Sequence, residues 1–109
     1  MKESNANAAT LRCLRIVEMM AGRVLDGLSN KDLADALRCP PPTVSRDLDT
    51  LMRAGWVQRL ETGRWSLTPR PLQVAQAYSN HVTRTTTRIA ELNQRIVSGA
   101  LAMGGTGAA

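Results

Sequence analysis

Apolar residues recur along this chain in helical stripes and in one pair of short strand-like runs, with glycine, proline and small polar residues between them. From Thr10 onward, Leu11, Leu14, Ile16, Val17, Met20 and Ala21 form a broad stripe at helical spacing, and Gly22 is its expected stop. Arg23 to Leu28 reads as a connector in which Val24, Leu25 and Leu28 pack down and Gly27 permits the turn. Ser29 then opens a second helix, with Asp32 placed to complete a capping box and to sit against the positive end of the helix dipole. Leu33, Ala34 and Leu37 carry its inner face, and the pattern stops at Arg38 and Cys39. Pro40, Pro41 and Pro42 follow; proline starts helices but does not continue them, so a third helix is predicted to begin near Pro41. Its inward face is Val44, Leu48, Leu51 and Met52, while Thr43, Ser45, Arg46, Asp49 and Thr50 point elsewhere.

Gly55 ends that helix, and two runs rich in Trp, Val and Leu, about 56–60 and 64–68, flank a glycine-containing loop as a hairpin. The fold class predicted is mainly α: a winged helix-turn-helix, three helices plus a two-stranded β-hairpin wing, followed by a long C-terminal helix. Residues 1–8 are small and polar, a flexible lead-in; 9–69 form the winged unit; 70–98 form the long helix; and the glycine-rich 99–109 is expected to be a disordered tail. Between Leu72 and Ser98 there is no proline or glycine. Ala75, Tyr78, Val82, Thr85, Ile89, Leu92 and Ile96 recur there with alternating gaps of three and four, a heptad seam. At ~1.5 Å per residue such a helix is about 40 Å long, more than a small core covers. The seam is therefore expected to pair with a second copy, in a parallel, antiparallel or intertwined arrangement, the plainer reading being a helix folded back over its own domain.

Composition narrows the partner. The chain has 109 residues, a net charge of +5 and a pI near 10.2, which favours a polyanion over a neutral metabolite. Its two cysteines, Cys13 and Cys39, have neither metal spacing nor a disulfide framework, and no run approaches the length of a membrane span or has the make-up of a signal peptide. A cytoplasmic protein without metal or cofactor is expected. No nucleophile, acid–base pair, metal cluster or phosphate-binding glycine loop is apparent, so an enzyme is not expected.

Short polar side chains and an arginine at the start of a second helix suit the reading of base edges in a major groove. Thr43, Ser45 and Arg46 are the candidates, with Pro42 and Thr50 beside them and Lys31 as a phosphate contact at the start of the preceding helix. Arg64, just past the hairpin tip, is the candidate backbone contact of the wing. The plainer readings are an Arg46 paired with Asp47 or Asp49, and hydroxyls that only cap the helix. Trp56 and Trp65 are assigned to core packing rather than to base stacking, His81 to the surface and Cys39 to packing in the turn.

With these residues in view, Thr10 to about Tyr78 resembles the N-terminal DNA-binding domain of the IclR-type bacterial transcription regulators. The resemblance lies in LRCLRIVEMMA, GLSNKDLADAL, CPPPTVSRDLDTLMRAGWV and GRWSLTPRPLQVA, in that order and at matching spacings. It implies that the second helix of the motif reads the major groove, that the wing touches the flanking backbone, and that a linker helix follows. This sequence departs from the pattern in two places. Beyond the winged helix it offers one helix and a short tail, so no effector-binding domain and no small-molecule control are expected. Pro41 and Pro42 also stand where the family often has a polar pair. The function expected is a sequence-specific double-stranded DNA-binding regulator, a dimeric repressor acting by operator occupancy; the alternative is a protein-interaction adaptor built on the same scaffold.

Overall fold

Local side-chain chemistry starts and stops most of the elements. In the computed structural model, which describes residues 5–104, helix α1 spans Ala8–Met20, α2 Asn30–Leu37, α3 Pro41–Arg53, strands β1 and β2 Val57–Arg59 and Trp65–Leu67, and α4 Arg70–Ala102. The Asn7 side chain accepts the Thr10 N–H at 3.0 Å and caps α1, so the helix begins two residues before Thr10. Of the lead-in expected over 1–8, Ala8 is helical and Asn7 is its cap, and residues 1–4 lie outside the described residues. At the other end Ala21 stays right-handed and Gly22 does not adopt the positive φ of a glycine stop; instead the Arg23 N–H closes a turn on the Met20 carbonyl at 2.9 Å.

The capping box at α2 is complete: the Asp32 N–H donates to Ser29 Oγ at 3.0 Å and the Ser29 N–H to Asp32 Oδ2 at 3.1 Å. Arg38 ends α2 in the left-handed region, φ 56° and ψ 45°, a conformation more usual for glycine. Pro41 and Pro42 occupy the first turn of α3, where a missing N–H costs nothing. Gly55, at φ 83°, ends α3 in a Schellman arrangement: its N–H reaches the Met52 carbonyl and that of Trp56 the Leu51 carbonyl, each at 2.9 Å.

The hairpin pairs Val57 with Leu67, Gln58 with Ser66 and Arg59 with Trp65. It is shorter at each end than 56–60 and 64–68, because the Leu60 to Arg64 turn closes immediately beyond it. Its other edge is not free: Leu28 forms an antiparallel bridge to Trp65 through two bonds of 2.8 Å. Gly27 makes this possible. A Cβ there would lie 2.5 Å from the Trp65 carbonyl oxygen, so the glycine serves a close backbone approach as well as a turn at φ 71°.

The first compact unit of the chain ends at Pro71. Its core is Ile16, Met20, Leu33, Ala34, Val44, Leu48, Leu51, Val57 and Leu67, with Trp56 and Trp65 packed against it as expected. Met52 is not part of that core, and Leu25 is 93% exposed, so the connector packs down only at Leu28. In place of Met52 the inward face of α3 carries a carboxylate, Asp47, 4% exposed. Arg12 of α1 holds it through Nε to Oδ2 at 2.7 Å and Nη2 to Oδ1 at 3.1 Å. Buried charge is tolerated only when paired and hydrogen-bonded, and this two-pronged contact supplies both.

The second unit begins at Leu72 and contains the rest of α4. The helix runs through Gly99 to Ala102, four residues past Ser98, so 99–102 of the tail expected at 99–109 are helical, and residues 105–109 lie outside the described residues. No residue of α4 is buried. No helix among the described residues is long and apolar enough to cross a membrane.

Candidate nucleic-acid interface

The outer face of α3 is the candidate interface. Pro42, Arg46, Asp49, Thr50 and Arg53 succeed one another at helical spacing and are all exposed, while Val44, Asp47, Leu48 and Leu51 hold the opposite face in the core. Arg46 makes no ion pair among the described residues. The two acids considered as its partners are engaged elsewhere: Asp47 with Arg12, and Asp49 with Arg53 at 2.8 Å, one helical turn on. Arg46 is thereby left as a cation whose fork of donors faces solvent.

The hydroxyls are less independent. Ser45 Oγ accepts from Asn30 Nδ2 at 2.8 Å, and the same amide reaches the Pro41 carbonyl at 3.5 Å, so the start of α2 is tied to the first turns of α3. Thr50 Oγ1 donates to the Arg46 carbonyl at 3.1 Å, leaving its lone pairs outward as an acceptor. Thr43 is half-buried, its N–H bonded to the Pro40 carbonyl at 3.0 Å. Lys31 is 83% exposed and pairs with Asp35 at 2.6 Å, which raises the ammonium pKa above its ordinary value. An exposed pair of this kind is weak and yields readily to a phosphate.

Arg64, the candidate backbone contact of the wing, is bonded within the protein. Its Nε donates to the Asp26 carbonyl at 3.0 Å, and its Nη2 to the Gly27 carbonyl at 3.1 Å and to Asp32 Oδ2 at 3.4 Å. The guanidinium thus reaches back from the hairpin to the turn before α2 and joins that helix's capping box. The cation that the wing does present is Arg59, exposed and 5.5 Å above the Trp65 ring. Asp32 is held below the usual carboxylate range chiefly by the Ser29 backbone N–H and the Ser29 hydroxyl, and next by the Arg64 charge.

Two residues of this site carry no clear signal in the sequence. Asn30 is fifteen positions from Ser45, too far for any helical repeat to connect them. Arg59 reads in the sequence as a cation that either tracks phosphates or sits on the solvent face of the hairpin, and its pairing register with Trp65 is what places it over the indole. Burial pushes the Cys13 thiol up, and Cys39, half-buried, points its sulfur at the Leu37 carbonyl at 3.4 Å; neither faces the exposed side of α3. Among the described residues no cluster of His, Cys, Asp and Glu suits a metal ion.

Residues 9–61 match the family described as the IclR helix-turn-helix domain. Among solved structures, an IclR family transcriptional regulator from Brucella abortus is 27% identical over 79% of this chain and 33% of its own, with a TM-score of 0.65. The repressor BlcR of Agobacterium tumefaciens shares the fold at 23% identity, covering 87% of this chain and 38% of its own, with a TM-score of 0.61. The MepR–DNA complex of Staphylococcus aureus is 25% identical over 80% of this chain and 77% of its own, with a TM-score of 0.53. The chain therefore spans about a third of the length of the first two proteins. No curated protein sequence matches it.

Proposed function

Residues 9–61 are an IclR helix-turn-helix domain, and from that premise we propose that the chain is a sequence-specific double-stranded DNA-binding transcription regulator, a dimeric repressor acting by operator occupancy. The observation that carries this reading is the outer face of α3, which presents Arg46, without an ion-pair partner among the described residues, beside short polar side chains while its inner face is locked to α1. A rigid helix with one free guanidinium and small neighbours is suited to bidentate recognition of guanine. Thr43 and Ser45 meet bases beside Arg46, with Pro42 and Thr50 at the edge of the contact. Lys31 meets a phosphate near the start of α2, adding to the field of the helix N-terminus. At the wing the phosphate contact passes to Arg59, since Arg64 is occupied by the protein itself.

Dimerisation through Ala75, Tyr78, Val82, Ile89, Leu92 and Ile96 of α4 brings two such faces to one operator. A single winged helix buries little surface on DNA, and specific affinity is commonly reached by doubling it. The experiment is selection of bound duplexes from a random pool at about 150 mM salt, where long-range attraction between charges is already screened. The expected result is an enriched inverted repeat with half-sites a whole number of helical turns apart. Indifference to sequence, with binding lost at that salt, overturns the reading in favour of a protein-interaction adaptor.

A further inference from the structure

Resting on the reading of α4 as the dimerisation helix, we propose that two copies of this chain pair through α4 in parallel and in register, and not antiparallel. The seam puts Ala75, Val82, Ile89 and Ile96 at a positions and Tyr78, Thr85 and Leu92 at d positions. Its larger members are all exposed within one chain, Tyr78 at 72%, Ile89 at 56% and Ile96 at 58%, so they are available to a partner. Over Ala75 to Ile96 the seam spans three heptads, roughly 33 Å, long enough for a partner of equal length to cover.

The residues in and beside the seam decide the direction. Val82, Ile89 and Ile96 at a with Leu92 at d are the combination that favours two parallel strands. The g positions are His81, Arg88 and Arg95, two of them cations, while the e positions Ser79, Thr86 and Asn93 are neutral. Neither Arg88 nor Arg95 makes an ion pair among the described residues. In a parallel pair each g residue meets the e residue five positions on in the second copy: His81 meets Thr86, and Arg88 meets Asn93. In an antiparallel pair that overlaps the seam from Tyr78 to Ile96, g meets g, so Arg88 faces Arg88 and His81 faces Arg95. Like charges then line one flank, and that arrangement is selected against.

Thr85 points the same way. In parallel register it meets its own copy, and the two hydroxyls bond each other within the seam. In antiparallel register it meets Ile89, where its hydroxyl has no cross-strand partner and falls back on its own helix. A parallel pair also starts both α4 helices at one end, where two helix-turn-helix units are tethered to a single operator.

The test uses the full chain with Cys13→Ala and Cys39→Ala, so that an added cysteine is the only thiol, and reads mass by sedimentation and cross-linking by mild oxidation. A dimeric mass is expected, with Val82→Cys chains linking to one another. In the antiparallel pair Val82 lies opposite Leu92 and about 15 Å along the axis from its own copy, beyond the reach of a disulfide. A dimer that forms only the mixed link, between Val82→Cys and Leu92→Cys chains, overturns the direction and leaves the dimer standing. A dimer that forms neither link overturns pairing through this seam. A monomer at about 100 μM, where a specific coiled coil with micromolar affinity is assembled, overturns the dimer as well.

Discussion

At the scale of single residues, each arginine is defined by what its guanidinium is already bonded to. Arg46 makes no ion pair among the described residues, so Arg46→Ala is expected to weaken binding to the selected operator by about 1–3 kcal/mol and to relax preference at one base position, as measured by titrating operator and single-base variants. Arg59 and Arg64 separate the two meanings of a wing cation. Arg59→Ala is expected to weaken all DNA sequences alike and to make the slope of log affinity against log salt shallower by about one. Arg64→Ala is expected to leave that slope unchanged and to lower stability by about 2 kcal/mol, because the bonds to Asp26, Gly27 and Asp32 are lost. If removing Arg64 shifts the salt slope and removing Arg59 does not, the assignment is reversed. Behind α3, Arg12→Met strands the buried Asp47 carboxylate, at a cost of about 3 kcal/mol in denaturant unfolding. Adding Asp47→Leu is expected to restore most of that loss, since an apolar pair leaves no charge without a partner.

Within the elements, the starts and stops were largely legible because they depend on neighbours in sequence. Ser29 with Asp32, Pro41 at the first turn and Gly55 at the end of α3 all lie where spacing places them. What spacing does not reach is contact between elements. Arg12 and Asp47 are thirty-five residues apart, and a carboxylate on an inward face breaks the apolar rule by which that face is recognised. Arg64 is likewise claimed by groups thirty-two to thirty-eight residues away, so a residue that reads as an exposed wing cation belongs to the turn before α2. The capping box gives an element-level prediction with a sign. The Asp32 carboxyl is held below its ordinary pKa of about 4, so its support for the fold is present in full above that value and is lost as pH falls through the depressed one. Asp32→Asn is therefore expected to melt below the parent near neutral pH, and the gap is expected to close below about pH 4. A gap that stays constant down to pH 2 removes the ionised carboxylate as its cause.

For the molecule as a whole, the chain up to Pro71 forms one compact unit, and α4 carries an exposed apolar row, the one proposed above to join a second copy. If α4 pairs as proposed, operator affinity depends on total protein concentration, and the binding curve steepens below the dimer dissociation constant. The contact between Arg64 and the turn before α2 has a thermodynamic corollary. A hairpin fastened beside its tip in the free protein, and bridged along its edge to Leu28, has little backbone freedom left to surrender when DNA arrives. The heat-capacity change of association is then set by the surfaces that meet and not by a wing that must first fold, and calorimetry with Arg64→Ala in place of the parent isolates the difference.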